Sequence, residues 1–349
     1  MQLKKLLTVL GMVSIVGGLT ACTTMNTHKS SSMHSHSTTP QYLTDATPRL
    51  GIIAAFGQEA DLLLASMTHK KEYLIRGKTF TTGELENKPV VITLSGISMT
   101  NAAMTTQLLS DHFQLKGLIF SGIAGSLNPN YHVGDVVIAK GWVAPNEVYF
   151  ANNTDLPSAC GSAGDISCLG LVLDQSIPPY QQQFFRKTNV INSSNYQKIA
   201  LTTKIGDQTI PVAYGEMKSH FSVDQSMWNI ANTIQPTIQL EAICSDKTTC
   251  YQPKIVMGNH GVSGGAFLAN SKYRDYLHQY MQGDYVDMET AAVAQVAYAN
   301  EIPFIAFRSL SDLAGADHDP NVAAFFGSGV AQRNAAKLTL GFVKEWTTP

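Results

Sequence analysis

From residue 48 onward, apolar positions alternate between short unbroken runs and runs at helical spacing. Residues 50–56, LGIIAAF, are apolar almost throughout, as a strand buried on both faces would be. Residues 60–67, ADLLLASM, then carry helical spacing. The pattern repeats: KPVVITLSGIS (88–98) reads as a strand, MTNAAMTTQLLSDHF (99–113) as a helix, and KGLIFSGIAGSL (116–127) and VGDVVIA (133–139) as strands. Later, DYVDM (284–288) runs into the helical ETAAVAQVAYAN (289–300), IPFIAFRSLSD (302–312) is a strand, and a last helix starts near Pro320. This alternation predicts a single α/β domain, about 48–349, with a central mixed twisted sheet flanked by helices.

Residues 146–253 break the rhythm with prolines and few periodic segments, and read as a large insertion over the sheet. Cys160 and Cys168 bracket GSAGDIS, and Cys244 and Cys250 bracket SDKTT. In an exported chain, two close pairs in polar loops read as disulfides Cys160–Cys168 and Cys244–Cys250. A zinc site built from all four competes, but the spacings are wider than the usual C-x-x-C knuckles.

Export is suggested by the first 22 residues. Lys4 and Lys5 precede an apolar run too short to span a bilayer, which ends LTAC. This ending resembles the bacterial lipobox, and the resemblance implies a signal peptide over 1–21 and acylation of Cys22. Thr23, in place of an Asp, points to the outer membrane, facing the periplasm. The Ser/Thr/His-rich stretch 22–47 reads as a tether, in which His28, His34 and His36 have nothing to fix a metal geometry. The expected partners are therefore a lipid anchor and a small molecule. With a net charge of -2 and no basic stripe, nucleic acid is not among them.

Ligands of open α/β sheets sit beyond the carboxyl ends of strands. That makes candidates of Glu59, Ser95, Asp287, Glu289, Arg308, Ser311 and Asp312. Single glycines there are read as tight turns. For Asp287 and Glu289, residue type alone leaves helix capping and function open. Likewise, Glu59 could do no more than cap the helix that follows it.

LGIIAAFGQEADLL, SGIAGSLNP with VGDVV, VSGGAFLANS, VDMETAAVAQVA and PFIAFRSLSDLAG, in that order, resemble the nucleoside phosphorylase/hydrolase superfamily. Within it the 5′-methylthioadenosine/S-adenosylhomocysteine nucleosidases are most similar, over about 50–145 and 255–345, while the stretch after AGSLNP is reminiscent of secreted plant storage proteins. The resemblance implies hydrolysis of the N-glycosidic bond of an adenine nucleoside, no cofactor or metal, and a homodimer whose second copy closes the 5′ pocket. It makes Asp312 the acid at adenine N7 and Glu59 the acid that activates water. Glu289 becomes the ribose-hydroxyl ligand with Met288 packed on the sugar, Phe267 the purine-stacking ring, and Leu268 a backbone contact to the base. Ser95, Arg308 and Ser311 surround the water and the catalytic acid. Asp287 stands where the family usually has Glu.

The physics of the reaction agrees. Cleavage builds positive charge on ribose and negative charge on the base, so a protonated Asp312 can neutralise N7 while Glu59 deprotonates water. Protonated Asp312 requires burial to raise its pKa. Phe267, with Phe325 or Phe326, would supply an apolar lid. Three rivals remain. GVSGG (261–265) fits G-x-S-x-G, with Asp312 and His318 following in hydrolase order. The others are a purine nucleoside phosphorylase and a non-catalytic purine-nucleoside-binding or storage-type lipoprotein.

Overall fold

A computed structural model describes residues 43–145, 190–192, 200–205, 208–214, 216–218, 220–244, 250–315 and 328–347. The expected leader, Cys22, the tether histidines, the Cys160–Cys168 pair, His318, Phe325 and Phe326 lie outside the described residues. The chain clusters into two compact units, Met1–Gln41 and Tyr42–Pro349, and the second holds every described residue.

The main elements run β1 (Asp45–Ala54), α1 (Gly57–Ser66), β2 (Thr68–Ile75), β3 (Lys78–Leu85), β4 (Lys88–Leu94), α2 (Met99–His112), β5 (Phe113–Ser126) and β6 (Val136–Val143). They continue β7 (Phe221–Ser222), α3 (Gln225–Ile234), β8 (Ile255–Ser263), α4 (Ser271–Met281), β9 (Gly283–Asp287), α5 (Thr290–Ala299), β10 (Phe304–Leu313) and α6 (Val330–Glu345).

These ten strands join one mixed sheet in the order β7-β6-β8-β9-β5-β1-β4-β3-β2, and β10 pairs with both β5 and β6. β1 lies parallel to β4 and β5, and β10 parallel to β5, whereas β10 is antiparallel to β6 and β9 antiparallel to β5. Because β8 pairs β6 and β9, the circuit β5–β10–β6–β8–β9–β5 closes on itself. The expected mixed sheet is present, and half of it is rolled into a barrel.

The core follows from the apolar runs. On one face α2 (Ala102, Leu109) packs with α5, whose Ala291, Ala292, Val293, Ala294 and Ala297 are all buried. Those small side chains let two helices and the sheet approach closely. The other face carries α1, α3 and α6 through Leu63, Met227, Ala231, Ile234, Leu338 and Phe342. In α3 the buried Met227, Ala231 and Ile234 recur at helical spacing, and Asp224 caps the helix by accepting the N–H groups of Ser226 and Met227.

Six of these elements are not legible as such in the sequence: β2 and β3 of one hairpin, β7, α3, β8 and α4. The first strand of the hairpin, THKKEYLI, is an edge strand exposed along most of its length, so it needs no apolar alternation. The strand read over 88–98 stops at Leu94, because Gly96 and Ser98 turn with φ of 78° and 103°. The last described helix is Val330–Glu345, and the start expected near Pro320 lies outside the described residues. Cys244 and Cys250 are disulfide-bonded, which removes them as zinc ligands. The bond closes a two-residue ladder in which Ile243 faces Tyr251.

Candidate active site

β1 delivers the first acid. Past Ala54 the chain turns into α1, and the Glu59 side chain folds back over its first turn. Glu59 Oε2 accepts the N–H groups of Ala55 at 2.6 Å and Phe56 at 3.2 Å, and Oε1 accepts the N–H of Ile123 on β5 at 2.8 Å. It therefore caps the helix and also lines a cavity of about 330 Å³, so capping does not withdraw Glu59 from the cavity. Gly122 on β5 makes room for it, since a Cβ there would sit 2.3 Å from Glu59 Oε1 and 2.4 Å from Arg308 Nη1.

Arg308, on β10, is wholly buried. Its Nε donates to Asp287 Oδ2 at 2.8 Å, its Nη2 lies 2.8 Å from the same oxygen and 3.1 Å from Glu289 Oε2, and Nη1 is 3.7 Å from Glu59 Oε1. The guanidinium stacks 4.4 Å from the Phe120 ring centroid. One cation thus serves three buried carboxylates. Its Nη1 has no hydrogen-bond acceptor within reach.

Burial pushes Glu59 up to about 7, against the opposing pull of Arg308 and the Ile123 and Ala55 N–H groups. Burial also raises Glu289, with Asp287 adding to the rise and Arg308 opposing it. For Arg308 burial acts to lower the pKa, but Asp287, Glu59 and Glu289 outweigh it and hold the group charged.

Glu289 reaches into the cavity from the start of α5. Oε1 accepts the Ser98 N–H at 3.0 Å and Oε2 the Met288 N–H at 3.3 Å. Ser98 holds φ 103°, a region that favours glycine, while its hydroxyl accepts the Asn101 N–H and caps α2. Backbone strain of this kind persists where surrounding contacts fix it. Met288 and Leu268 line the cavity, as does Phe267, which is 69% exposed at its mouth.

On β10 a register shift between Leu310 and Asp312 relative to β5 marks a bulge at Ser311. Bulges re-aim side chains, and this one brings both Ser311 and Asp312 to the cavity wall. Ser311 Oγ lies 2.7 Å from Asp312 Oδ1, to which it donates, and 3.3 Å from Ala124 O. Gly125 keeps the approach open, with a would-be Cβ 3.1 Å from Asp312 Oδ2.

Three assignments change. Asp287 lines the cavity, but its oxygens are engaged: Oδ1 accepts Ser263 Oγ and the N–H groups of Glu289 and Thr290, and Oδ2 accepts Arg308 and the Thr290 hydroxyl. With its oxygens so engaged, it orients Arg308 and starts α5. Ser95 is fully buried, outside the cavity wall, and its hydroxyl donates to Gly96 O at 2.8 Å. Arg308 is likewise outside the wall, behind the three acids rather than on the substrate side. The G-x-S-x-G run is no nucleophile elbow either. Ser263 ends β8, is fully buried, donates to Asp287 at 2.5 Å and accepts the Ala291 N–H at 2.8 Å.

Besides Ser263, which its motif marks for another role, Ser98, Thr290 and Gly122 belong to the site although sequence reasoning does not single them out. Only Gly122 leaves a signal: a glycine inside a strand often marks close approach of another group.

The chain belongs to the phosphorylase superfamily, whose model matches residues 49–183 and 240–344. Among relatives, the 5′-methylthioadenosine/S-adenosylhomocysteine nucleosidase of Mycobacterium bovis is 27% identical over 291 residues, 83% of this chain and 96% of that protein. Bark storage protein B of Populus deltoides is 24% identical over 276 residues, covering 79% and 80%. The nucleosidase from Neisseria meningitidis solved with methylthio-immucillin-A aligns at TM-score 0.57 with 24% identity, covering 85% of this chain and 99% of that one. This last likeness speaks to fold.

Proposed function

We propose that this protein hydrolyses the N-glycosidic bond of a purine nucleoside, such as 5′-methylthioadenosine or S-adenosylhomocysteine, and releases the free base. The observation that carries the reading is that two buried acids from different strand ends, Glu59 and Asp312, line one cavity, with Arg308 Nη1 3.7 Å behind Glu59. Glu59 can hold a water in that cavity by one of its protons. Glu59, poised near 7, is matched to take that proton as the ribosyl cation develops. The bond electrons move to the purine, whose N7 takes the proton of Asp312, and the water oxygen bonds the anomeric carbon. When the products leave, solvent takes the proton from Glu59 and returns one to Asp312, which restores both acids. Glu289 binds the ribose hydroxyls, Met288 packs on the sugar, Phe267 covers the purine, and a Leu268 backbone group meets its edge. Asp287, its oxygens engaged, holds Arg308 from the cavity wall, and Ser95 and Arg308 act behind that wall.

A phosphorylase would place a dianion beside Glu59. Repulsion of about 4 kcal/mol per unit charge pair at 4 Å, for an effective dielectric of 20, opposes that. Similarity to a storage protein favours a second, non-catalytic reading, but a binder needs neither a water-facing Glu59 nor a bulge that aims Asp312. Incubating the purified chain with a panel of purine nucleosides and following free base tests the proposal. No release from any of them would leave only the binding reading.

The remaining proposals concern address and assembly. Residues 1–21 serve as a lipoprotein signal, acylated Cys22 anchors the mature chain to the outer membrane facing the periplasm, and 22–47 is its tether. Residues 146–253 form an insertion that carries a second disulfide, Cys160–Cys168, and also lends β7 and α3 to the sheet and core. A homodimer is supported by Ile97, which lines the cavity yet is 54% exposed, and by Met104 on α2 at 58%. A second copy would bury both and narrow the cavity.

A further inference from the structure

The disulfide hairpin Ile243–Tyr251 lies outside the cavity wall, yet its contacts lead to the strand that carries Asp312. Ile243 and Tyr251 face each other across the ladder that Cys244–Cys250 closes. Tyr251 donates its hydroxyl to Asp135 Oδ1 at 2.6 Å, and Ile243 packs on Gly134, where a Cβ would come within 2.3 Å of its Cδ1. Gly134 holds φ 90°, so both its conformation and its contact with Ile243 require glycine.

Asp135 is fully buried, and its carboxylate gathers the turn. Besides Tyr251, Oδ1 accepts the Lys254 N–H at 2.9 Å, and Oδ2 accepts the His132 N–H at 3.0 Å. The backbone of Gly134 and Asp135 grips β10. Gly134 N–H donates to Leu310 O at 2.7 Å, and Leu310 N–H donates to Asp135 O at 2.8 Å. Leu310 is the last residue in register with β5 before the bulge that places Ser311 and Asp312.

We propose that the Cys244–Cys250 hairpin, acting through Tyr251 and Asp135, is a positioning device for Asp312. The turn at 134–135 clamps Leu310, and that clamp fixes where the bulge throws the carboxylate. Asn334 braces the turn from α6, donating to Gly134 O at 3.3 Å and accepting the Glu241 N–H at 2.6 Å, so the hairpin is held at both ends. Tyr251 and Asp135 are positioning residues; neither lines the cavity. The inference rests on Asp312 being the general acid.

The test uses the full chain, comparing wild type, Cys244→Ser/Cys250→Ser and Tyr251→Phe, each also combined with Asp312→Asn. Tyr251→Phe keeps the disulfide and removes only the hydroxyl, so it decides the matter where the cysteine variant fails to fold. With Asp312 intact, both variants are expected to lose kcat, by about tenfold or more for an acid displaced by a fraction of an ångström, with KM unchanged. Combined with Asp312→Asn, neither should lose anything further. Unchanged kcat in Tyr251→Phe overturns the inference, as does an equal loss with and without Asp312, which is the mark of general destabilisation. If Asp312→Asn alone turns over like wild type, the acid assignment itself fails, and the positioning inference fails with it.

Discussion

Arg308 Nη1 and Glu59 Oε1 stand 3.7 Å apart, both buried, and the arginine's other nitrogens are committed to Asp287 and Glu289. The arginine is thus the counter-charge for the whole acid cluster, placed behind the cavity wall.

Removing it should be expensive. Arg308→Met leaves three carboxylates facing one another without a cation. Deleting one partner of a buried ion pair typically costs roughly 3–5 kcal/mol. Urea unfolding is expected to show a loss of that order, together with loss of turnover. Stability within about 1 kcal/mol of wild type would mean that the cluster is already protonated in the folded state.

Glu59 sets a pH dependence in both activity and stability. Its folded pKa is raised, from 4.5 to about 7, so between those values the folded state binds the proton more tightly than the unfolded state. The sign follows: this group's contribution to stability declines as pH rises from about 4.5 to 7, by on the order of 3 kcal/mol in total, and stays reduced above 7. Glu59→Gln is expected to flatten that slope in pH-dependent unfolding. Catalysis runs the other way, because the base must be ionised, so kcat/KM is expected to climb as pH passes about 7.

The two acids should fail differently. Asp312→Asn is expected to fold and to lose roughly 10²–10⁴ in turnover, the usual weight of a positioned general acid. Glu59→Gln should lose turnover while still binding nucleoside, since it acts on water and not on the base. Turnover rates with calorimetric nucleoside binding separate these outcomes, and a wild-type rate in either variant removes that residue from the mechanism.

Gly122 has no side chain to contribute, yet it should be intolerant of one. Gly122→Ala would force its Cβ against Glu59 Oε1 and Arg308 Nη1, 2.3 Å and 2.4 Å away. Overpacking of this kind costs about 1–3 kcal/mol, and displacement of the two groups should lower kcat more than it raises KM. A fully active Gly122→Ala enzyme would show that the floor of the site yields freely.

Much of this is legible from the chain because strand ends announce themselves. Glu59, Glu289 and Asp312 each follow or end a strongly apolar run, and the fold brings all three to one cavity. Arg308 is visible only as one more polar residue in a buried strand; that it serves three acids depends on β10 lying beside β5, which local patterning does not reveal. Asp287 and Glu289 look alike in sequence and differ because Ser263, from a strand 24 positions earlier, fills Asp287. That same serine suggests an esterase when read in its local motif alone. Ser98 gives no sign, since its contribution is a backbone N–H in an unusual conformation. The hairpin β2–β3 is hidden for a simpler reason: an exposed edge needs little apolar patterning.

The central claim is that water, activated by Glu59 beside Arg308, is the nucleophile. The most direct measurement is release of free adenine from 5′-methylthioadenosine in phosphate-free buffer and with added phosphate, with the sugar product identified in each. The account predicts equal rates and a sugar with a free anomeric hydroxyl in both. Strict dependence on phosphate, with a sugar 1-phosphate as product, would contradict it.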